Sequence, residues 1–242
     1  FQYIHEETQG LSGARNRCTE LADTEFIHFI DDDSLAYPNF IKNTLDCIDR
    51  YTDLHVIGGK TEPNWGSEGR PPWLSENLLG LLSMLDLGDK EIFFNDLPPN
   101  KQWFVGANIC FRKQSILDYG GFDNSLGRKG SNNSLLGGEE NDLLEKIAKE
   151  NLAIYSPNIV VDHLVSGKRL NQSWFLKRIA WQSVSEIMAN DIWIEEQHGI
   201  SEFIEGNLGY LTEDCSTAEC FEGKLKLVQY LIFKILHGGD IK

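Results

Sequence analysis

The chain has 242 residues, 41% apolar and 24% charged, an ordinary globular makeup that excludes a disordered or fibrous protein. Its 22 basic and 37 acidic residues leave a formal charge of −15. That balance excludes a protein that coats nucleic acid, and it repels phosphorylated molecules unless a bound cation reverses the local sign.

In chain order, residues 1–5 read as a strand already under way, and the first residue is Phe rather than Met, so an upstream part of the fold is expected. Residues 10–13 read as a turn and 14–22 as a helix. The short apolar run 25–30 reads as a buried strand. Pro38 suits the first turn of the next helix, where Tyr37, Phe40, Ile41, Leu45 and Ile48 recur at helical spacing. Residues 54–58 form another strand pattern. This β–α–β–α–β order predicts an α/β layer fold with parallel strands. Between 61 and 100, five prolines and two tryptophans break every period, which predicts a long irregular excursion. Residues 103–111 predict a strand pair, 120–123 a turn, and 125–138 a mobile segment rich in Gly and Asn. A helix is expected over 139–150 and short strands over 152–156 and 159–163, around Pro157. Everything beyond 170 reads as helical, with Trp174, Phe175, Trp181 and Ile187 as core packing.

No run of about 18 apolar residues exists to make a transmembrane helix. Five cysteines at 18, 47, 110, 215 and 220, an odd count without a CxxC, read as reduced thiols of a cytoplasmic protein. A Cys215–Cys220 bridge stays open.

Asp31-Asp32-Asp33 follows the apolar strand directly. In open α/β sheets, ligands bind beyond the carboxyl ends of the strands. Three consecutive carboxylates repel one another unless solvated or neutralised, and a hard cation such as Mg²⁺ or Mn²⁺ neutralises them with oxygen ligands. A solvated turn or a helix N-cap is the alternative reading.

Gly10-Leu11-Ser12-Gly13-Ala14-Arg15-Asn16, followed by Phe29-Ile30-Asp31-Asp32-Asp33, resembles the nucleotide-sugar-binding part of family 2 glycosyltransferases of the GT-A fold. Trp103-x-x-Gly106-Ala107-Asn108 with Phe111-Arg112 resembles that family's strand beside the acceptor site. Gly120-Gly121-Phe122-Asp123, then Gly137-Gly138-Glu139-Glu140-Asn141-Asp142-Leu143, resembles its GGF(D/N)…GEDxEL segment, and Val161-x-His163 follows. The five motifs keep the family's order across residues 1–170. Two departures stand out. The family's opening half-domain, with its base-binding strand, is absent, and the usual Glu-Asp pair is Glu139-Glu140.

The resemblance implies a GT-A, Rossmann-like α/β fold with a mixed, mostly parallel sheet. Residues 1–169 would be the catalytic domain, incomplete at its amino terminus, and 170–242 a helical C-terminal extension. It implies transfer of a sugar, with inversion, from a UDP- or GDP-sugar to a saccharide or lipid-linked acceptor, as in polysaccharide biosynthesis, with Mg²⁺ or Mn²⁺ as cofactor. It assigns Asp31 and Asp32 to the nucleotide-sugar, Asp33 to the metal, and His163 to the metal as in some relatives. His163 reads equally as a core histidine. Arg15, in the loop after the first strand, would meet the diphosphate or be a surface arginine. Lys168 and Arg169 would close on the phosphates or form a basic turn. Trp103, Gly106 and Asn108 would line the sugar–acceptor cleft, although a buried Trp also suits a core.

Glu140 is the candidate general base. It lies in a helical first turn with Leu143, Leu144 and Ile147 at i+3, i+4 and i+7, so it shares the buried face, while Asp142 faces solvent. The helix N-terminus favours its ionised form and burial opposes it. Glu139 and Asp142 would serve the acceptor. Two other functions compete: a Mg²⁺-dependent phosphohydrolase built on Asp31 and Asp33, and a truncated domain that only binds sugar or a partner. The apolar tail 225–236 is expected to pack on protein, with at most peripheral contact at the inner face of the membrane. A homodimer stays open.

Overall fold

The computed structural model describes residues 2–7, 9–128, 135–189 and 215–236. They form two compact units. The first comprises Phe1–Asn64, Ser83–Asn124 and Glu139–Val165; the second comprises Trp65–Leu82, Ser125–Gly138 and Ser166–Lys242. The units interleave in sequence, whereas the sequence reading drew one boundary, after residue 169.

In the first unit, helix α1 (Leu11–Leu21) precedes β1 (Phe26–Ile30), β2 (Ser34–Ala36), α2 (Phe40–Arg50) and β3 (Leu54–Asn64). The short strand β4 (Ile92–Phe93), β5 (Asn108–Arg112), α3 (Lys113–Asp118), α4 (Glu139–Ala148) and β6 (Leu152–Leu164) follow. The strands make one sheet in the order β1-β5-β3-β6-β2, with β4 pairing beside β2 on β6. The α/β fold class holds, but the sheet is not mostly parallel. Among the described strands only β3 and β6 pair in parallel, and the other four pairings are antiparallel. The physical reason lies in β5. Strands β1 and β3 run the same way, as a β–α–β unit requires, but β5 lies between them antiparallel to both.

Both faces of the sheet are covered, so its strands are apolar on both sides. Ile109 and Phe111 of β5 join Leu143, Leu144 and Ile147 of α4 in one core layer. Cys110, between them in sequence, joins Phe40 and Cys47 of α2 in the other.

Several local expectations need correction. Residues 2–5 form no strand, because no described strand pairs with them. The expected turn at 10–13 is already the first turn of α1. Strand structure in 103–111 begins only at Asn108, since residues 102–105 leave the ladder. The two strands expected around Pro157 are one strand, β6, whose register against β3 jumps between Gly59/Ser156 and Lys60/Val160. Proline has no N–H for the ladder and sits in that jump. Strand β3 runs on to Asn64, so the irregular excursion begins later than residue 61.

The second unit carries α5 (Gln172–Ala189) and α6 (Ala218–Leu236). Phe175, Trp181 and Ile187 of α5 are buried, as expected. Trp73 lies edge-on to Phe175 and Phe221, which explains why the Trp65–Leu82 part of the excursion belongs to this unit, while the rest belongs to the first. Cys215 and Cys220 are joined in a disulfide, against the expectation of reduced thiols and as the pairing that stayed open, while Cys18, Cys47 and Cys110 are free. Residues 129–134 of the segment expected to be mobile, and 190–214 of the region expected to be helical, lie outside the described residues.

Candidate functional site

Strand β1 ends at Ile30 and delivers Asp31 to the sheet's edge, where a turn closes with Ser34 N–H donating to the Asp31 carbonyl at 3.0 Å. The chain then pairs back on β6, so that Ser34 stands opposite His163. The Leu164 N–H donates to the Asp33 carbonyl at 2.9 Å. This ladder places Asp33 Oδ1 3.2 Å from His163 Nε2, although the two residues are far apart in sequence. Asp31, Asp33 and His163 each offer a ligand atom, and these atoms lie within 4.8 Å of one another. Two carboxylates and an imidazole suit a divalent cation such as Mn²⁺ or Mg²⁺. The triplet leads into a strand, so the helix-cap reading fails. Asp32, between the two, is exposed. Burial raises the pKa of Asp31, against the pull of Arg15 and His163; Asp33 and Glu140 add to the rise.

Arg15 lies on the buried side of α1, not in a loop, with 6% of its side chain exposed. Its Nη1 donates to Glu139 Oε1 at 2.5 Å, and it comes within 3.9 Å of both Asp31 and Glu140. Thus the two glutamates exchange their expected environments. Glu139 is the buried one, 2% exposed, and Glu140 is the accessible one at 17%. Burial first, then the neighbouring Glu140, push the Glu139 pKa up, while Arg15 pulls it down. A sealed Glu139 bound to Arg15 is poorly placed to hold an acceptor hydroxyl. Asp142 does not face solvent as expected: its carboxylate is 10% exposed and pairs with Lys146 at 2.7 Å.

Asn108 needs the plainest correction. It is fully buried, its amide donating to the carbonyls of Lys60 at 2.8 Å and Ile159 at 2.9 Å. Its oxygen therefore accepts from His28 Nε2 at 2.9 Å. The amide is spent on stitching four strands together, and nothing remains for a sugar. Gly106 is buried as well, and a Cβ there would collide with Arg15 Nη2, so this glycine admits the arginine. Trp103 is half-buried against the core. Lys168 and Arg169 belong to the second unit, in a one-turn 3-10 helix, Lys168 exposed and Arg169 half-buried.

Three supporting residues escaped the sequence reading. Asn16 exchanges two 2.8 Å hydrogen bonds with the backbone of Phe122, fixing α1 to the turn where Gly120 and Gly121 take φ of 86° and 79°. Asn141 Oδ1 accepts the Phe104 N–H at 2.9 Å and fixes the start of α4. His28 anchors β1 through Asn108. Asn16 and Asn141 sit inside quoted motifs, and that was the available signal. For His28 there was none.

The family described as Glycosyl transferase family 2 matches residues 1–118. A glucosyl-dolichyl phosphate glucuronosyltransferase of Haloferax volcanii is 26% identical over 76% of the chain, and the matched stretch is 57% of that protein. A putative glycosyltransferase EpsH of Bacillus subtilis is 43% identical over 26% of the chain and 18% of its own length. The chain thus matches less than two thirds of either relative's length. Among solved structures, GalNAc-T7 with UDP, GalNAc and Mn²⁺ covers 93% of this chain and 45% of its own, at 14% identity and a TM-score of 0.49. The mannosyltransferase PcManGT of Pyrobaculum calidifontis, with GDP-Man and Mn²⁺, covers 96% and 64%, at 13% identity and 0.49. Likenesses this loose carry no argument about the site.

Proposed function

We propose that the chain, whose residues 1–118 match the family described as Glycosyl transferase family 2, transfers a sugar from a nucleoside-diphosphate donor to an acceptor hydroxyl, with inversion at the anomeric carbon. The observation that carries this reading is the convergence, within one unit, of Asp31, Asp33 and His163 with the half-buried Glu140. Asp31, Asp33 and His163 would hold a divalent cation. When bound, that cation supplies charge neutralisation for the donor's diphosphate. Glu140, left accessible while Glu139 is tied to Arg15, takes the proton of the acceptor hydroxyl as that oxygen attacks. The first helical turn suits it, because the free N–H groups of a helix start stabilise a carboxylate. Arg15 is committed to carboxylates, so the diphosphate's charge falls to the cation. In this reading the catalytic domain, 1–169, takes in the first unit and the segments 65–82, 125–138 and 166–169 of the second, with 170–242 as a helical extension. By analogy with the Haloferax relative's name, the acceptor is a lipid-linked sugar.

The test is release of nucleoside diphosphate from a panel of UDP- and GDP-sugars by the full chain, with and without Mn²⁺. Metal-dependent release is expected, lost in Asp33→Ala together with metal-dependent nucleotide binding. Glu140→Gln is expected to keep binding and slow transfer by about 10²–10⁴. Unchanged Mn²⁺ dependence in Asp33→Ala removes the metal assignment, and a wild-type rate in Glu140→Gln removes the base.

A further inference from the structure

The guanidinium of Arg15 sits in a slot built by three separate segments. The ring centroids of Phe29 in β1 and Phe122 after α3 lie 5.8 and 5.6 Å from its central carbon. Gly106, before β5, leaves the room its Nη2 occupies. From this slot it reaches Glu139 directly, and Asp31 and Glu140 at 3.9 Å. One cation therefore faces the acidic turn after β1 and both glutamates that open α4.

We propose that the Arg15–Glu139 pair is a positioning device: it ties the first turn of α4 to the Asp31 turn and so sets where the Glu140 carboxylate stands, and it takes no part in holding the diphosphate. The proposal rests on Glu140 being the base. A phosphate ligand must present its donors to solvent before the donor arrives, whereas Arg15 is sealed and already charge-paired. A buried pair is weak evidence for stability, since apolar residues of similar volume often replace one without loss. Stability alone therefore does not explain a pair placed between two candidate site segments. Glu139 is sealed and tied to Arg15, whereas its sequence neighbour Glu140 stays partly accessible 3.9 Å from the same guanidinium, which is how a fixed residue aims a working one.

The test uses the full chain with Arg15→Met/Glu139→Met, which removes both charges and keeps the volume, and Arg15→Lys, which keeps a cation. Affinity for UDP or GDP with Mn²⁺ is expected to stay within about threefold in the double variant, while kcat at saturating donor falls about 100-fold or more. Arg15→Lys is expected to recover about tenfold of that loss. In a Glu140→Gln background, removing the pair should cost less than about threefold more, because groups acting through one residue are not additive. A tenfold loss of nucleotide affinity makes Arg15 a phosphate ligand and overturns the proposal. So does an unchanged kcat, or full additivity with Glu140→Gln. If the double variant does not fold, Glu139→Gln keeps the Arg15 hydrogen bond without the charge; about a tenfold lower kcat at unchanged affinity is expected, and a wild-type kcat overturns the proposal. A wild-type rate in Glu140→Gln alone sinks the base reading and this inference with it. A slow Glu140→Gln beside a wild-type Arg15→Met/Glu139→Met sinks only the positioning.

Discussion

His28 is held as a neutral imidazole inside the sheet. Because Asn108 gives both amide hydrogens to carbonyls, only its oxygen faces the ring, and His28 Nε2 must carry the proton. Nδ1 is buried with no hydrogen-bond partner among the described residues, so a second proton there would be unsolvated. Burial pushes the His28 pKa down to about 4, against the opposing effect of the Asn108 bond. Its ordinary value is about 6.5. Between these values the unfolded chain takes up a proton that the folded chain refuses, so stability is present above pH 6.5 and is lost as pH falls toward 4. At about 1.36 kcal/mol per pH unit, the loss approaches ~3 kcal/mol by pH 4. Denaturant titrations at pH 7, 5.5 and 4.5 should show a shallower acid loss in His28→Gln than in the wild type. Parallel pH curves would remove the effect. The same residues mark the limit of sequence reading. Asp33, His163 and Glu140 carry chemistry in their side chains and stand in ordered motifs, so the sequence offers them as candidates. Asn108 stands in a motif too, but whether an amide meets a ligand or the backbone of two neighbouring strands depends on register, which no residue type reveals.

The candidate metal-ligand cluster, Asp31, Asp33 and His163, is a property of elements rather than of a motif. Strand β2 is three residues long, yet its pairing with β6 brings Asp33 to His163. Leu35 lies at its centre, opposite Asp162, and its side chain is 67% exposed. The flanking bonds, Leu164 N–H to the Asp33 carbonyl and Tyr37 N–H to the Val160 carbonyl, alternate such that the Leu35 N–H belongs to the ladder as well. Leu35→Pro removes that donor and is expected to weaken Mn²⁺ binding at least about tenfold, with little effect on the core. Leu35→Thr, a strand former at an exposed position, should bind Mn²⁺ as the wild type does. Equal Mn²⁺ affinity in both variants, measured by calorimetry, would show that β2 does not set the site. The sequence made β1, β3 and α4 legible because apolar runs and periodicity mark them. Strand β2 reads Ser-Leu-Ala, too short for any period to register, and the antiparallel insertion of β5 between β1 and β3 is a long-range choice that local pattern does not encode.

At the scale of the whole molecule, the proposed lipid-linked acceptor would bring a chain of charge −15 to a membrane surface. No described helix is long and apolar enough to cross one. Helix α6 buries Phe221, Leu225, Val228 and Ile232 on one side, as expected for packing on protein, and leaves Leu227, Tyr230 and Phe233 about half exposed on the other. Lys226 and Lys234 flank that stripe, with Lys234 Nζ 5.7 Å from the Tyr230 ring centre. Burying a whole large apolar side chain contributes about 1.5–3 kcal/mol, so three half-exposed ones offer roughly 3 kcal/mol in total. A single myristoyl chain, which offers more, gives only marginal and reversible binding. Two lysines add about 1 kcal/mol each at an anionic surface, and the protein's overall negative charge opposes them. The sum supports at most weak, salt-sensitive association. In a flotation experiment with anionic vesicles, little of the full chain should rise at about 0.1 M salt, and less at about 0.5 M, where the Debye length is shorter. Strong flotation that survives high salt and disappears in Leu227→Gln/Tyr230→Ser/Phe233→Gln would show instead that this stripe inserts among the lipids.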